Sequence, residues 1–211
     1  SIQNILEMAE YKKTGCLKAL IVTGCLAQRY RQEILDEIPE VDAVLGTTAY
    51  DQILESLDAA LAGQPEVRLA DLQSLPAVET KRLVTTGGHY AYLKIAEGCD
   101  KHCTYCIIPR IRGSFRSVPM ERLLKEAEEL AEQGVKELIL VAQETTLYGK
   151  DIYGEKKLPE LLRRLCRITG LRWIRILYCY PEEITDELIR VIKEEPKICH
   201  YLDLPIQHAN D

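Results

Sequence analysis

The chain contains no run of eighteen uncharged apolar residues, so its sequence offers no transmembrane helix. Its first residues, Ser1-Ile2-Gln3-Asn4, carry neither a basic leader nor an apolar signal region. An excess of positive charge is also missing. Lys and Arg number 27 against 33 Asp and Glu, a net charge of −6, which disfavours a general nucleic-acid binder. There is no internal repeat and no low-complexity segment. There is no initiator Met, and the chain stops abruptly after Gln207-His208-Ala209-Asn210-Asp211, so both ends read as cuts inside a longer protein.

What is present is ample apolar material. At 211 residues and 46% hydrophobic, the chain can bury a substantial core and suffices for one large domain or one and a half ordinary ones. Five of its eight cysteines are scattered singly and three crowd into residues 99–106. Without an export signal, a reduced cytoplasmic setting is expected, where clustered cysteines bind metal rather than pair.

Residues 1–63 alternate helix and strand: a helix through Ile2, Ile5, Leu6 and Ala9, a strand over 17–22, a helix over 28–38, a strand over 41–45, and a helix over 50–61 ended by Gly63. Such alternation implies a parallel sheet. Residues 64–88, with Pro65, Pro76 and Gly87-Gly88, read as a linker. From residue 89 the alternation resumes. A strand over 92–96 leads into a long loop over 97–117, and Pro119 opens a helix with the apolar stripe Leu123, Leu124, Ala127 and Leu130. Strands over 138–142, 173–178 and 199–204 alternate with helices over 158–168 and 184–192. The strands have largely lost polar alternation, as expected when both faces are buried. Four β/α units fit a partial barrel, whose active residues stand at the carboxyl ends of the strands. The fold class expected is α/β: an incomplete amino-terminal α/β domain followed by a partial (β/α) barrel.

The strongest local signal is Cys99-Asp100-Lys101-His102-Cys103-Thr104-Tyr105-Cys106, a C-x3-C-x2-C run directly after the first barrel strand. Three thiolates so close together suit three irons of one 4Fe–4S cluster, and no fourth cysteine follows to complete the set. The remaining iron is then open to the amino and carboxylate groups of S-adenosylmethionine (SAM). The competing reading is a structural zinc site completed by His102 or His89. Zinc wants a closed tetrahedron, and His102 stands awkwardly beside Cys103. A non-catalytic metal or electron-transfer module would use the same thiolates.

The run from Gly98 through Cys106-Ile107-Ile108-Pro109, followed by Arg112-Gly113 and Arg116-Ser117, resembles the radical SAM methylthiotransferases. A second segment, Thr23-Gly24-Cys25-Leu26-Ala27-Gln28-Arg29-Tyr30, resembles the part of that family's amino-terminal domain that holds the last of three further cysteines. The resemblance implies two 4Fe–4S clusters: a first with Cys25 as one ligand, and a second, SAM-binding one on Cys99, Cys103 and Cys106. It places two earlier cysteines, the last barrel strands and a carboxyl-terminal RNA-binding-type domain outside this chain. Nucleic-acid contact would come only through that missing domain. Cys16 is expected to be incidental, and Cys166, Cys179 and Cys199 to be core residues.

Within the family, one branch modifies tRNA adenosine and another an aspartate of a small-subunit ribosomal protein. Gln143-Glu144-Thr145-Thr146-Leu147-Tyr148-Gly149 and Tyr201-Leu202-Asp203-Leu204-Pro205-Ile206-Gln207-His208 resemble the ribosomal-protein branch, with Glu144 where Asp is usual. The resemblance implies an electron donor as a further partner. It also suggests Tyr105 against the adenine of SAM, and Gln143 and Glu144 near the SAM amino group. Arg110, Arg112 and Arg116 suit a SAM carboxylate or a substrate aspartate, or else a solvated basic loop. Asp203 and His208 read either as active-site residues or as a structural pair.

Overall fold

Residues 2–75 and 82–205 are described by a computed structural model. Pro76 of the expected linker, and Gln207 and His208, lie outside them. The chain divides into two units, Ser1–Thr80 with Tyr105–Gly113, and Lys81–Thr104 with Ser114–Asp211.

The first unit runs α1 (Ile2–Lys13), β1 (Ile21–Thr23), α2 (Cys25–Tyr30), α3 (Gln32–Glu37), β2 (Ala43–Leu45), a 3-10 turn at Tyr50–Gln52, α4 (Ile53–Leu61) and β3 (Glu66–Arg68), and includes α5 (Ile108–Arg112). Its strands form a parallel sheet in the order β1-β2-β3, with Ile21 beside Ala43 and Ala43 beside Glu66. All three residues of the central strand are buried, as a parallel strand covered on both faces requires. The helix expected over 28–38 is two helices. Arg31 takes a positive φ of 48° between them, its amide bonded to Ala27 O and its Nε to Gln28 O. Those two bonds offset the cost of a conformation that side chains other than glycine seldom adopt. β3 lies inside the segment read as a linker. Its three residues are too few to show a period, and only pairing with β2 makes them a strand.

The second unit runs β4 (Tyr90–Lys94), β5 (Ala96–Glu97), β6 (Arg116–Ser117), α6 (Met120–Glu132), β7 (Glu137–Val141), α7 (Lys150–Tyr153), α8 (Leu158–Cys166), β8 (Trp173–Ile176), a 3-10 turn at Pro181–Glu183, α9 (Asp186–Glu194) and β9 (Ile198–Leu202). Its main sheet is parallel in the order β4-β7-β8-β9, the sequential order of a β/α barrel. Ala91, Leu93, Leu138, Leu140, Ile174 and Ile176 bury one face of that sheet among Leu123, Leu130, Leu161, Leu165 and Val191. The expectation that both faces are buried fails here. On the other face Tyr92 and Trp173 are exposed, and the strands alternate after all. The long loop over 97–117 is also more structured than expected, because β5 and β6 pair at its base, Ala96 with Ser117 and Glu97 with Arg116.

Helix ends follow local chemistry. Pro119 stands one residue earlier than expected, at the cap of α6 rather than its first turn. At the other end Gly134, with φ 100°, donates to Ala131 O while Val135 N reaches Leu130 O, closing the helix in a Schellman motif. Thr185 caps α9 by accepting from Leu188 N.

Candidate metal centre

Directly after β5 the chain turns at Gly98, whose φ of 77° suits glycine. Its amide donates to Gln143 Oε1 at 2.7 Å, at the end of β7. Gln143 therefore fixes the backbone immediately before Cys99. Asp100 Oδ1 accepts from Phe115 N, and Lys101 pairs with Glu183 in the 3-10 turn after β8, its ammonium 4.2 Å from the Tyr180 ring centroid. Lys156 binds the second oxygen of Glu183 at 2.8 Å. Hydrogen bonds from Lys101 and then Lys156 hold the Glu183 carboxyl down at about 2. Gln143, Asp100 and Lys101 thus tie the segment from Gly98 to Lys101 to three places in the second unit.

Cys99, Cys103 and Cys106 are all partly exposed, and none of the eight cysteines is in a disulfide. Cys99 and Cys103 fall in the second unit and Cys106 in the first. Among the described residues no three His, Cys, Asp or Glu side chains are grouped so as to hold a metal ion. The fit to an iron–sulfur cluster therefore rests on donor type alone: three partly exposed cysteines within eight residues of sequence. His89, one candidate for completing a zinc site, has its Nδ1 3.2 Å from Gly87 O.

The remaining candidate residues separate sharply. Tyr105 is 81% exposed. Glu144 is buried, with Oε1 accepting from the amide and hydroxyl of Thr146. Burial raises its carboxyl, opposed by those hydrogen bonds. Asp203 closes β9 onto the end of β8: its Oδ2 accepts from Tyr178 N and its backbone O from Cys179 N. That structural role needs no His208. Arg116 donates to Ser114 O. Arg110 and Arg112 stand in the last turn of α5.

In the first unit, Cys25 is the first residue of α2, after Gly24 at φ 94°, and its thiol is exposed. Arg112 points two donors at it, Nε at 3.2 Å and Nη2 at 3.0 Å from Sγ. Buried Thr47 hydrogen-bonds Ile111 O at 2.7 Å through its hydroxyl, and its amide donates to Gln28 Oε1 at 3.1 Å. Cys16 is exposed, in the turn after α1. Cys166 and Cys179 are buried and their thiols are pushed up to about 11 by burial, so they are core residues as expected. Cys199 is only partly buried.

Sequence reasoning passed over Gln28, Thr47, Lys101 and Glu183. Lys101 lay inside the motif. Glu183 is 82 residues away from it, and nothing short of the fold brings the two together.

The Radical SAM superfamily model matches residues 93–211, and the chain belongs to that superfamily. It is 69% identical, over its whole length, to a protein of Lachnoclostridium phytofermentans named ribosomal protein uS12 methylthiotransferase RimO, of which it covers 48%. Proteins of the same name from Desulfitobacterium hafniense and Clostridium botulinum are 52% and 54% identical over the whole chain, which covers 48% and 47% of them. The chain thus spans about half the length of the curated relatives it matches. Among solved structures, a radical S-adenosylmethionine methyltransferase, TsrM, from Kitasatospora setae is 19% identical over 57% of this chain and 23% of its own, with a TM-score of 0.46.

Proposed function

We propose that this chain is part of a radical SAM methylthiotransferase that adds a methylthio group to an aspartate of ribosomal protein uS12, in the cytoplasm. The observation that carries the reading is 69% identity along the entire chain to a protein named for that activity. The C-x3-C-x2-C loop after the first strand of the parallel sheet supplies the chemistry the name requires. Cys99, Cys103 and Cys106 would hold the SAM-binding 4Fe–4S cluster, which when bound would supply the electron for reductive cleavage of SAM. Gln143 holds the turn before Cys99, and the Lys101–Glu183 pair holds the segment between Cys99 and Cys103. Glu144, a carboxylate beside Gln143 at the end of β7, is suited to the SAM amino group. Tyr105 offers an accessible ring for the adenine.

Cys25 would be one ligand of a first 4Fe–4S cluster. Its sulfur is exposed and met by two guanidinium donors, unlike the buried thiols of Cys166 and Cys179. Reductive cleavage of SAM would also need an external electron donor to reduce the cluster.

The test uses the intact gene product, reconstituted anaerobically with iron and sulfide and supplied with SAM, a reductant, ribosomal subunits and tRNA. Mass spectrometry should find the methylthio group on a uS12 aspartate, with tRNA adenosine unmodified. Methylthioadenosine as the product would reverse the choice of substrate. SAM that leaves the electron paramagnetic resonance spectrum of the reduced cluster unchanged would instead indicate a closed, non-catalytic cluster.

A further inference from the structure

We infer that Arg112 is a positioning residue for the sulfur of Cys25, and through it tunes the iron–sulfur cluster of the amino-terminal domain. The inference rests on the proposed reading of Cys25 as a ligand of that cluster. From sequence, Arg112 suited a SAM carboxylate or a substrate aspartate. A guanidinium grips a carboxylate with one flat edge, two parallel N–H groups at once. In the structure, the Nε–Nη2 edge of Arg112 is turned to Cys25 Sγ, at 3.2 and 3.0 Å.

The placement of Arg112 is built rather than incidental. Ile111, next to it in sequence, is buried, and its carbonyl accepts from buried Thr47 Oγ1. Thr47 is held through its amide by Gln28, which is itself buried and lies one turn along α2 from Cys25. Gly46 leaves room for this arrangement, since a Cβ there would stand 2.2 Å from Gln28 Oε1. Gly113, at φ 76°, ends α5 by donating to Pro109 O, which makes Arg112 the last helical residue. Buried hydrogen bonds thus run from α2 through Gln28, Thr47 and Ile111 to Arg112, whose guanidinium returns to α2 at Cys25.

The consequence for a cluster is directional. Hydrogen bonds and positive charge at a ligand sulfur favour the reduced, more negative state and raise the potential. They also hold the ligand in place, so their loss weakens metal retention. A lysine would keep the charge but not the flat two-point edge.

The experiment uses the intact protein with Cys99, Cys103 and Cys106 all replaced by Ala, so that only the amino-terminal cluster is observed. Iron content, the rate of iron loss to a chelator and the midpoint potential of the cluster are measured. Arg112→Gln should shift the potential to a more negative value and speed iron loss by about 10-fold. Arg112→Lys should fall between, and Thr47→Val should move both readouts the same way by less. An Arg112→Gln protein with the parental potential and loss rate overturns the inference. Should that variant fail to fold, Arg112→Lys decides by the same two readouts. Full cluster retention in Cys25→Ala would instead overturn the ligand reading of Cys25 on which the inference stands.

Discussion

Cys25 and Cys179 stand in similar places in the two units, each just past the carboxyl end of a parallel strand, β1 and β8. Their surroundings are opposite. Cys25 is exposed and faces the guanidinium of Arg112. Cys179 is fully buried, 3.7 Å from the Thr145 hydroxyl, and burial pushes its thiol up to about 11. A thiol in the second setting stays protonated and packs as a small hydrophobe, whereas the first setting leaves the sulfur accessible beside a cation. Position at a strand end does not make a cysteine a ligand. Burial and neighbouring groups are what separate the two.

The sharpest way to break this division is to exchange one cysteine of each kind. Cys103→Ala should abolish both the SAM-binding cluster and reductive SAM cleavage. Cys179→Ala should keep the full iron content and cost only about 1–2 kcal/mol of stability, as the removal of a small buried side chain does. Iron analysis, 5′-deoxyadenosine formation and denaturant unfolding check the pair. A Cys179→Ala protein that lost its iron would place that residue on the wrong side of the division.

A narrower contrast sets Cys25 against Cys16, both exposed. In the intact enzyme, Cys25→Ala should retain SAM cleavage while losing methylthio transfer, since on the proposed reading radical generation would rest on Cys99, Cys103 and Cys106. Cys16→Ala should leave both rates unchanged. The reverse outcome, with transfer lost on changing Cys16, would assign the first cluster to the wrong cysteine.

The smallest expected effect concerns the segment between Cys99 and Cys103. The Glu183 carboxyl titrates near 2 in the folded chain against an ordinary 4.5, so it favours folding while ionised. Its contribution is complete above pH 4.5 and is lost as pH falls towards 2. Replacing Glu183 by Gln should cost about 1 kcal/mol at neutral pH, as is usual for a partly exposed pair, and the gap from the parent should close between those two values. Unfolding of the apo protein at several pH values reads this directly. A gap that persists at pH 2 would mean that Glu183 acts through packing rather than charge.

How legible the site was depends on range along the chain. The C-x3-C-x2-C run is a local pattern, and so are the helices α6 and α8, whose apolar stripes recur over two or more turns. These could be read because nearest-neighbour geometry determines them. β3, β6 and α5 could not, since two to five residues carry no period and exist as elements only through their partners. The same limit hid the split at Arg31, where a left-handed residue is sustained by two hydrogen bonds.

By itself, then, the sequence determined the alternation that makes both sheets parallel, the cysteine loop after the first strand of the second sheet, and the branch of relatives to look for. Only the tertiary structure decided which polar groups serve that loop. Gln143 spends its carbonyl oxygen on Gly98, Glu183 reaches Lys101 across 82 residues, and Arg112 reaches Cys25 across 87. Hydrogen bonds and ion pairs act over a few ångströms in space, and separation along a chain says nothing about that distance until the backbone between the partners has folded.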